Sequence, residues 1–180
     1  MRAPSAIAAD AFDEGVHAFD RGEHARALSA FETAYRIAPH PTVLFNIARA
    51  YEAMGHDTAA ARRFLEFLDA DTHRDEALRV AVVDALMRIR PRIAWLRVRA
   101  LEGAVVSDAI VAPSEREQIV PVDPGLRTVR VSQRNAIVVR VSAGDELTVE
   151  CARADDPIVV AARGVAPMFF MSSSNVSAQR

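Results

Sequence analysis

Residues 8–41, AADAFDEGVHAFDRGEHARALSAFETAYRIAPHP, and residues 42–73, TVLFNIARAYEAMGHDTAAARRFLEFLDADTH, write one pattern twice. Gly22, Ala27 and Phe31 return 33 positions later as Gly55, Ala60 and Phe64, while Phe19 and Phe31 have Tyr51 and Phe64 as rough counterparts. A period near ~34 with helical spacing inside each copy is the signature of a helix-turn-helix unit. Such a unit cannot bury its apolar face alone and must stack on a neighbour.

Each copy resolves into two helices. Ile7, Ala11, Phe12, Ala18 and Phe19 fall on one face of a helix over 7–21 that Gly22 ends. Ala27, Leu28, Phe31, Ala34 and Tyr35 recur at threes and fours, so a second helix over 24–37 can nest against the first. Pro39 and Pro41 punctuate the chain, the latter being suited to a first helical turn. The second copy predicts a helix over 42–54 closed by Gly55, then one over 57–70 behind the N-cap candidate Asp57. Small residues at Ala27 and Ala60 permit close helix approach. A fifth helix over 73–90, capped by Thr72 or Asp71, carries Leu78, Val82, Ala85, Leu86 and Ile89 on one stripe and ends at Pro91.

Beyond Pro91 the period falls to two. Leu96, Val98 and Ala100 alternate with Trp95, Arg97 and Arg99, as in a half-buried strand. Further strands are expected over 104–111, 117–122, 126–132, 136–142 and 146–152, set off by turn signals such as Asp123-Pro124-Gly125 and Arg134-Asn135. Short strands at this density suggest a small antiparallel β-sandwich. The expected fold class is α+β in two domains. Residues 1–6 form an N-terminal extension, 7–91 a helical repeat domain of two hairpins plus a capping helix, 92–153 the sandwich, and 154–180 a C-terminal tail that is partly disordered.

Composition narrows the function classes. With 51% apolar and 26% charged residues over 180 positions the chain is of a folded type. Every basic residue is Arg and the formal net charge is -2, with acids interleaved, so no basic stripe invites nucleic acid. The lone Cys151 excludes an intramolecular disulfide and a cysteine metal cage. His17, His24, His40, His56 and His73 lack zinc-binding spacings, and none lies near Cys151 in sequence. Cys151 shares the inward face of its strand with Leu147 and Val149, which reads as a buried structural thiol. There is no phosphate-binding glycine loop, and Asp155-Asp156 reads as a solvated turn. No cofactor, no metal and no catalytic residue is implied. Residues 157–171 are apolar but broken by Arg163, Gly164 and Pro167, short of the ~18 unbroken residues that span a bilayer. The stretch APSAIAADA is too short for a signal core, yet looks like the new start of a chain from which a signal has been cleaved. A missed upstream signal would place the protein in the cell envelope or periplasm; otherwise the cytoplasm is expected.

Gly15, Ala18, Gly22, Ala27, Phe31, Ala34 and Pro39 match the tetratricopeptide repeat (TPR) pattern in order, as do Asn46, Tyr51, Gly55, Ala60 and Phe64 in the second copy. Residues 8 to 73 therefore resemble that family, with the fifth helix like its capping helix. EGAVV at 102–106 and VDPGLRTVRVS at 122–132 resemble the PEGA-type domain, a small sandwich found behind such repeats in bacterial envelope proteins.

The TPR resemblance implies a concave face built from the first helix of each hairpin. Phe12, Val16 and Phe19, then Phe45, Asn46 and Arg49, then Arg79 and Val82 would converge there. Asn can bond a peptide backbone and Arg can hold a carboxylate by two parallel bonds. Members that clamp a C-terminal carboxylate use a Lys and a second Asn where this chain has Phe12 and Val16, so only Asn46 and Arg79 match and a mainly apolar groove is expected. The implied function is a protein-protein adaptor or scaffold that binds a partner's peptide segment without catalysis. Alternatives are a structural envelope protein acting through its sandwich or by self-association, and a hydrolase subunit, which needs a deep pocket with convergent carboxylates. In the plainest reading Phe12, Phe19 and Phe45 are core.

Overall fold

The computed structural model describes residues 3–70, 75–107, 109–114, 116–132, 135–151, 153, 156–162 and 168–170. The chain divides into two compact units, 1–89 and 90–180.

The first unit holds five α-helices: α1 (Pro4–Asp20), α2 (His24–Ile37), α3 (Pro41–Ala53), α4 (Asp57–Ala70) and α5 (Glu76–Ile89). They follow the apolar periodicity of the sequence. Helix α1 begins at Pro4, inside the stretch expected as an extension, because a proline at the first helical position loses no needed N–H. The two hairpin turns repeat bond for bond. Gly22 N donates to Phe19 O, Glu23 N to Ala18 O and Ala27 N to Glu23 O; 33 residues on, Gly55 N donates to Glu52 O, His56 N to Tyr51 O and Ala60 N to His56 O, all at 2.9 Å. Each turn is a Schellman closure, whose left-handed residue is Gly22 or Gly55, both at φ +76°.

Helix α1 packs on α2, α2 on α3, α3 on α4 and α4 on α5. Ala18, Ala27, Phe31, Ala34, Val43 and Ile47 make one buried cluster across the first three helices. Phe64 and Phe67 are buried from α4, and Ala27 and Ala60 are fully buried at the close approaches. Gly15 has a packing role, since a Cβ there would stand 2.5 Å from the Phe31 ring. Two cap expectations change. Helix α4 starts at Asp57 itself, and α5 is capped by Asp75, whose Oδ1 accepts from Leu78 N at 3.1 Å. The expected caps Asp71 and Thr72 lie outside the described residues.

The second unit is two sheets around one core. Strands β1 (Ala94–Ala100), β4 (Gln118–Val122), β7 (Glu146–Cys151), β8 (Ile158–Ala162) and β9 (Met168–Phe170) form sheet A in the order β4-β1-β7-β8-β9. Strands β2 (Ala104–Val106), β3 (Ala109–Val111), β5 (Gly125–Arg130) and β6 (Ala136–Val141) form sheet B in the order β3-β2-β5-β6. Leu96, Val98 and Ala100 face Val106, Val129, Val139 and Val141 in a core that also takes in Val149, Cys151 and Ile158. The inward alternation expected of β1 and of Cys151 holds.

The sandwich departs from the expectation in three ways. First, it is not wholly antiparallel: β1 and β7 pair in parallel, with Leu96 opposite Leu147 and Val98 opposite Val149. Between them the chain passes through all of sheet B, so β7 returns in the same direction as β1. Second, the strand expected over 104–111 is a hairpin, because the chain turns back at Ser107, which adopts φ +55°. Third, β8 and β9 fall in the stretch expected to be a tail. β8 pairs antiparallel to β7 and β9 antiparallel to β8.

Candidate functional site

The stripe Phe12, Val16 and Phe19 on α1 lies at helical spacing, and all three side chains are half-buried against the first hairpin's core. Phe12 sits 5.6 Å from Phe31, ring centre to ring centre. On α3, Phe45 sits 6.1 Å from both Phe64 and Phe67. Phe12 and Phe45, with Phe31 and Phe64, are thus equivalent pairs at the 33-residue offset, a correspondence that matching Phe19 to Tyr51 had hidden. The rings serve the core with one side and the surface with the other.

Arg49 joins the two helices. Its guanidinium carbon lies 4.6 Å from the centre of the Phe19 ring and 5.8 Å from that of Phe45. Arg49 is exposed, and no carboxylate among the described residues pairs with it. Three of the anticipated residues, Phe19, Phe45 and Arg49, are therefore brought together as a cation on an aromatic platform.

The other candidates are placed differently. The Asn46 side-chain amide donates to the Thr42 carbonyl at 2.9 Å, so one of its donors is spent on its own helix. Val82 is fully buried with Ala85 and Ile89 on the core face of α5, where no ligand can touch it. Arg79 is half-buried on α5. Sequence reading also passed over Glu52 and Arg88. Glu52, at the place of Phe19 in the second copy, is largely buried and pairs with Arg88 of α5 at 3.2 Å. The offset of 33 from Phe19 was the signal for it. An arginine from the next odd-numbered helix thus covers both equivalent positions: Arg49 over Phe19, Arg88 over Glu52.

Behind this face, Tyr51 donates its hydroxyl to Glu32 at 3.2 Å, tying α3 to α2. Burial and then the Glu32 charge push the Tyr51 phenol up from its ordinary value.

In the second unit the arginines of sheet A's outer face are all spoken for. Arg97 bonds Glu146 and Glu117 and Arg99 bonds Glu150 at 2.9 Å, while Arg90, in the turn ahead of β1, reaches Glu146 at 2.6 Å. Cys151 lies in the core with its thiol donating to the Arg153 carbonyl at 2.9 Å; burial first, then Asp156, pushes the thiol up. Among the described residues no group of three His, Cys, Asp or Glu side chains is placed to hold a metal ion, and no helix is long and apolar enough to cross a membrane.

No family model, no curated protein and no solved structure matches this chain.

Proposed function

We propose that the protein is a non-catalytic adaptor whose helical unit, a short module of the tetratricopeptide type, holds a peptide segment of a partner protein along the face shared by α1 and α3. The PEGA-like sandwich then spaces or anchors that module. The observation that carries this reading is the exposed Arg49 guanidinium lying on Phe19 beside Phe45. Its donors are free to take a carboxylate from an incoming segment, while the rims of the rings accept an apolar side chain. Support for the repeat assignment comes from the two Schellman turns, whose closing bonds recur across 33 residues.

The test is a cross-linked pull-down from the native organism, comparing the natural chain with Arg49→Glu. Arg49 is exposed, so circular dichroism of the variant should be unchanged. A partner lost only from the variant supports recognition at this face. Identical partners from both chains would remove recognition from it.

One observation favours the second reading, self-association. Val80, Val83 and Met87 are exposed on α5, spaced three and four apart, opposite the buried Val82, Ala85 and Ile89. A terminal helix of a stacked array ordinarily turns a polar face outward. Sedimentation of the natural chain against Val83→Glu, Met87→Glu distinguishes this reading, which expects an assembly that the double variant dissociates.

A further inference from the structure

The outer face of sheet B differs from that of sheet A. Its strands contain no Asp or Glu. The pairing register sets Ile110, Val105 and Arg130 in one row across β3, β2 and β5, and sets Leu126 opposite Arg140 across β5 and β6. Val138 stands between those rows. Ile110 is 86% exposed, Leu126 59% and Val138 58%. Neither Arg130 nor Arg140 has a charged partner among the described residues, whereas Arg97 and Arg99 on sheet A are both ion-paired. Asp123, at the end of β4, borders the face and is the one acid among the described residues lining the shallow concavity beside Arg130.

We propose that this face docks the protein on an anionic bilayer surface, independently of any peptide held by the helical unit. The aliphatic side chains enter the boundary between headgroups and acyl chains, and Arg130 and Arg140 meet lipid phosphates with paired N–H donors. Charge decides the kind of partner. A second copy laid face to face would bring the same arginines together with no acid in the strands to offset them. The exposed aliphatic groups are spread over all four strands, so an extended acidic segment lying along one strand would leave most of them in water. A bilayer interface meets all of them at once.

The experiment is co-sedimentation of the full chain with vesicles of mixed phosphatidylglycerol and phosphatidylcholine, and with vesicles of phosphatidylcholine alone. Binding to the mixed vesicles should exceed binding to the neutral ones by about 30-fold and weaken with added salt. Arg130→Gln and Arg140→Gln should each lower it by about five-fold. Ile110→Ser with Val138→Ser should lower it further, whereas Arg99→Gln on sheet A should leave it unchanged. Among the described residues none of these side chains except that of Arg99 has a partner to lose, and circular dichroism checks that each variant keeps its fold. Equal binding to both vesicles, binding to neither, or equal losses in Arg99→Gln and Arg130→Gln would each overturn the proposal. So would poly-glutamate captured by the same residues in place of vesicles, which would assign the face to an acidic protein.

Discussion

The guanidinium of Arg49 on α3 rests 4.6 Å from the centre of the Phe19 ring on α1, linking the two hairpins at their surface. A cation over an exposed ring is worth about 0.5–1 kcal/mol. Arg49→Ala should cost about that much in urea denaturation, and almost nothing further in a Phe19→Leu background. The coupling in this double-mutant cycle is the measured quantity, and additive losses would show that the contact contributes nothing.

Gly15 and Gly22 resist substitution for different reasons. Alanine at position 15 drives its Cβ into the Phe31 ring, an overpacking costing about 1–3 kcal/mol. At position 22 the space is open but φ is +76°, so alanine there meets a backbone penalty of about 1–2 kcal/mol. Phe31→Leu should recover part of the loss from Gly15→Ala and none of that from Gly22→Ala, which thermal unfolding can read. Recovery in both would mean the turn at Gly22 is not strained.

Cys151 ties stability to alkaline pH. Its folded pKa is raised, so the contribution is fully present below the thiol's unfolded value and is lost as pH climbs through the folded one. Denaturant midpoints should therefore fall as pH rises past about 8.5, and Cys151→Ala should flatten that part of the profile. Iodoacetamide should label the thiol only as the sandwich unfolds. Rapid labelling of the native protein would place the sulfur at the surface.

Asn135 is buried, and its side-chain amide donates to the Asp156 carbonyl at 2.7 Å, joining the β5–β6 turn of sheet B to the β7–β8 connection of sheet A. Asn135→Ala leaves that carbonyl only the distant Cys151 thiol, at 3.7 Å, and should cost about 1–3 kcal/mol. A loss below a few tenths would mean that water replaces the amide without penalty.

The helices were legible because their signals are local: Gly22 and Gly55 end them, Pro41 starts one, and the apolar stripes point inward. The platform under Arg49 was partly legible, since Phe19, Phe45 and Arg49 were all singled out. What put Arg49 on Phe19 is the packing of α1 and α3 on the shared helix α2, which no spacing within one helix encodes. Val82 was misplaced for the same kind of reason: a stripe shows that a residue faces a neighbour, not whether the neighbour is core or ligand. In the sandwich, alternation located most strands but could not say which sheet each joins. Nor could it show that Ser107, with neither glycine nor proline beside it, reverses the chain.

The parallel pairing of β1 with β7 gives the two units different folding kinetics. Leu96 must wait for Leu147, 51 residues further along the chain, whereas each helical hairpin closes over a turn of a few residues. Low-separation contacts form early and long-range strand pairing late, so the helical unit should be complete while β1 is still unpaired on the side that β7 will fill. During synthesis that open edge, AWLRVRA, is the segment most in need of protection from other chains.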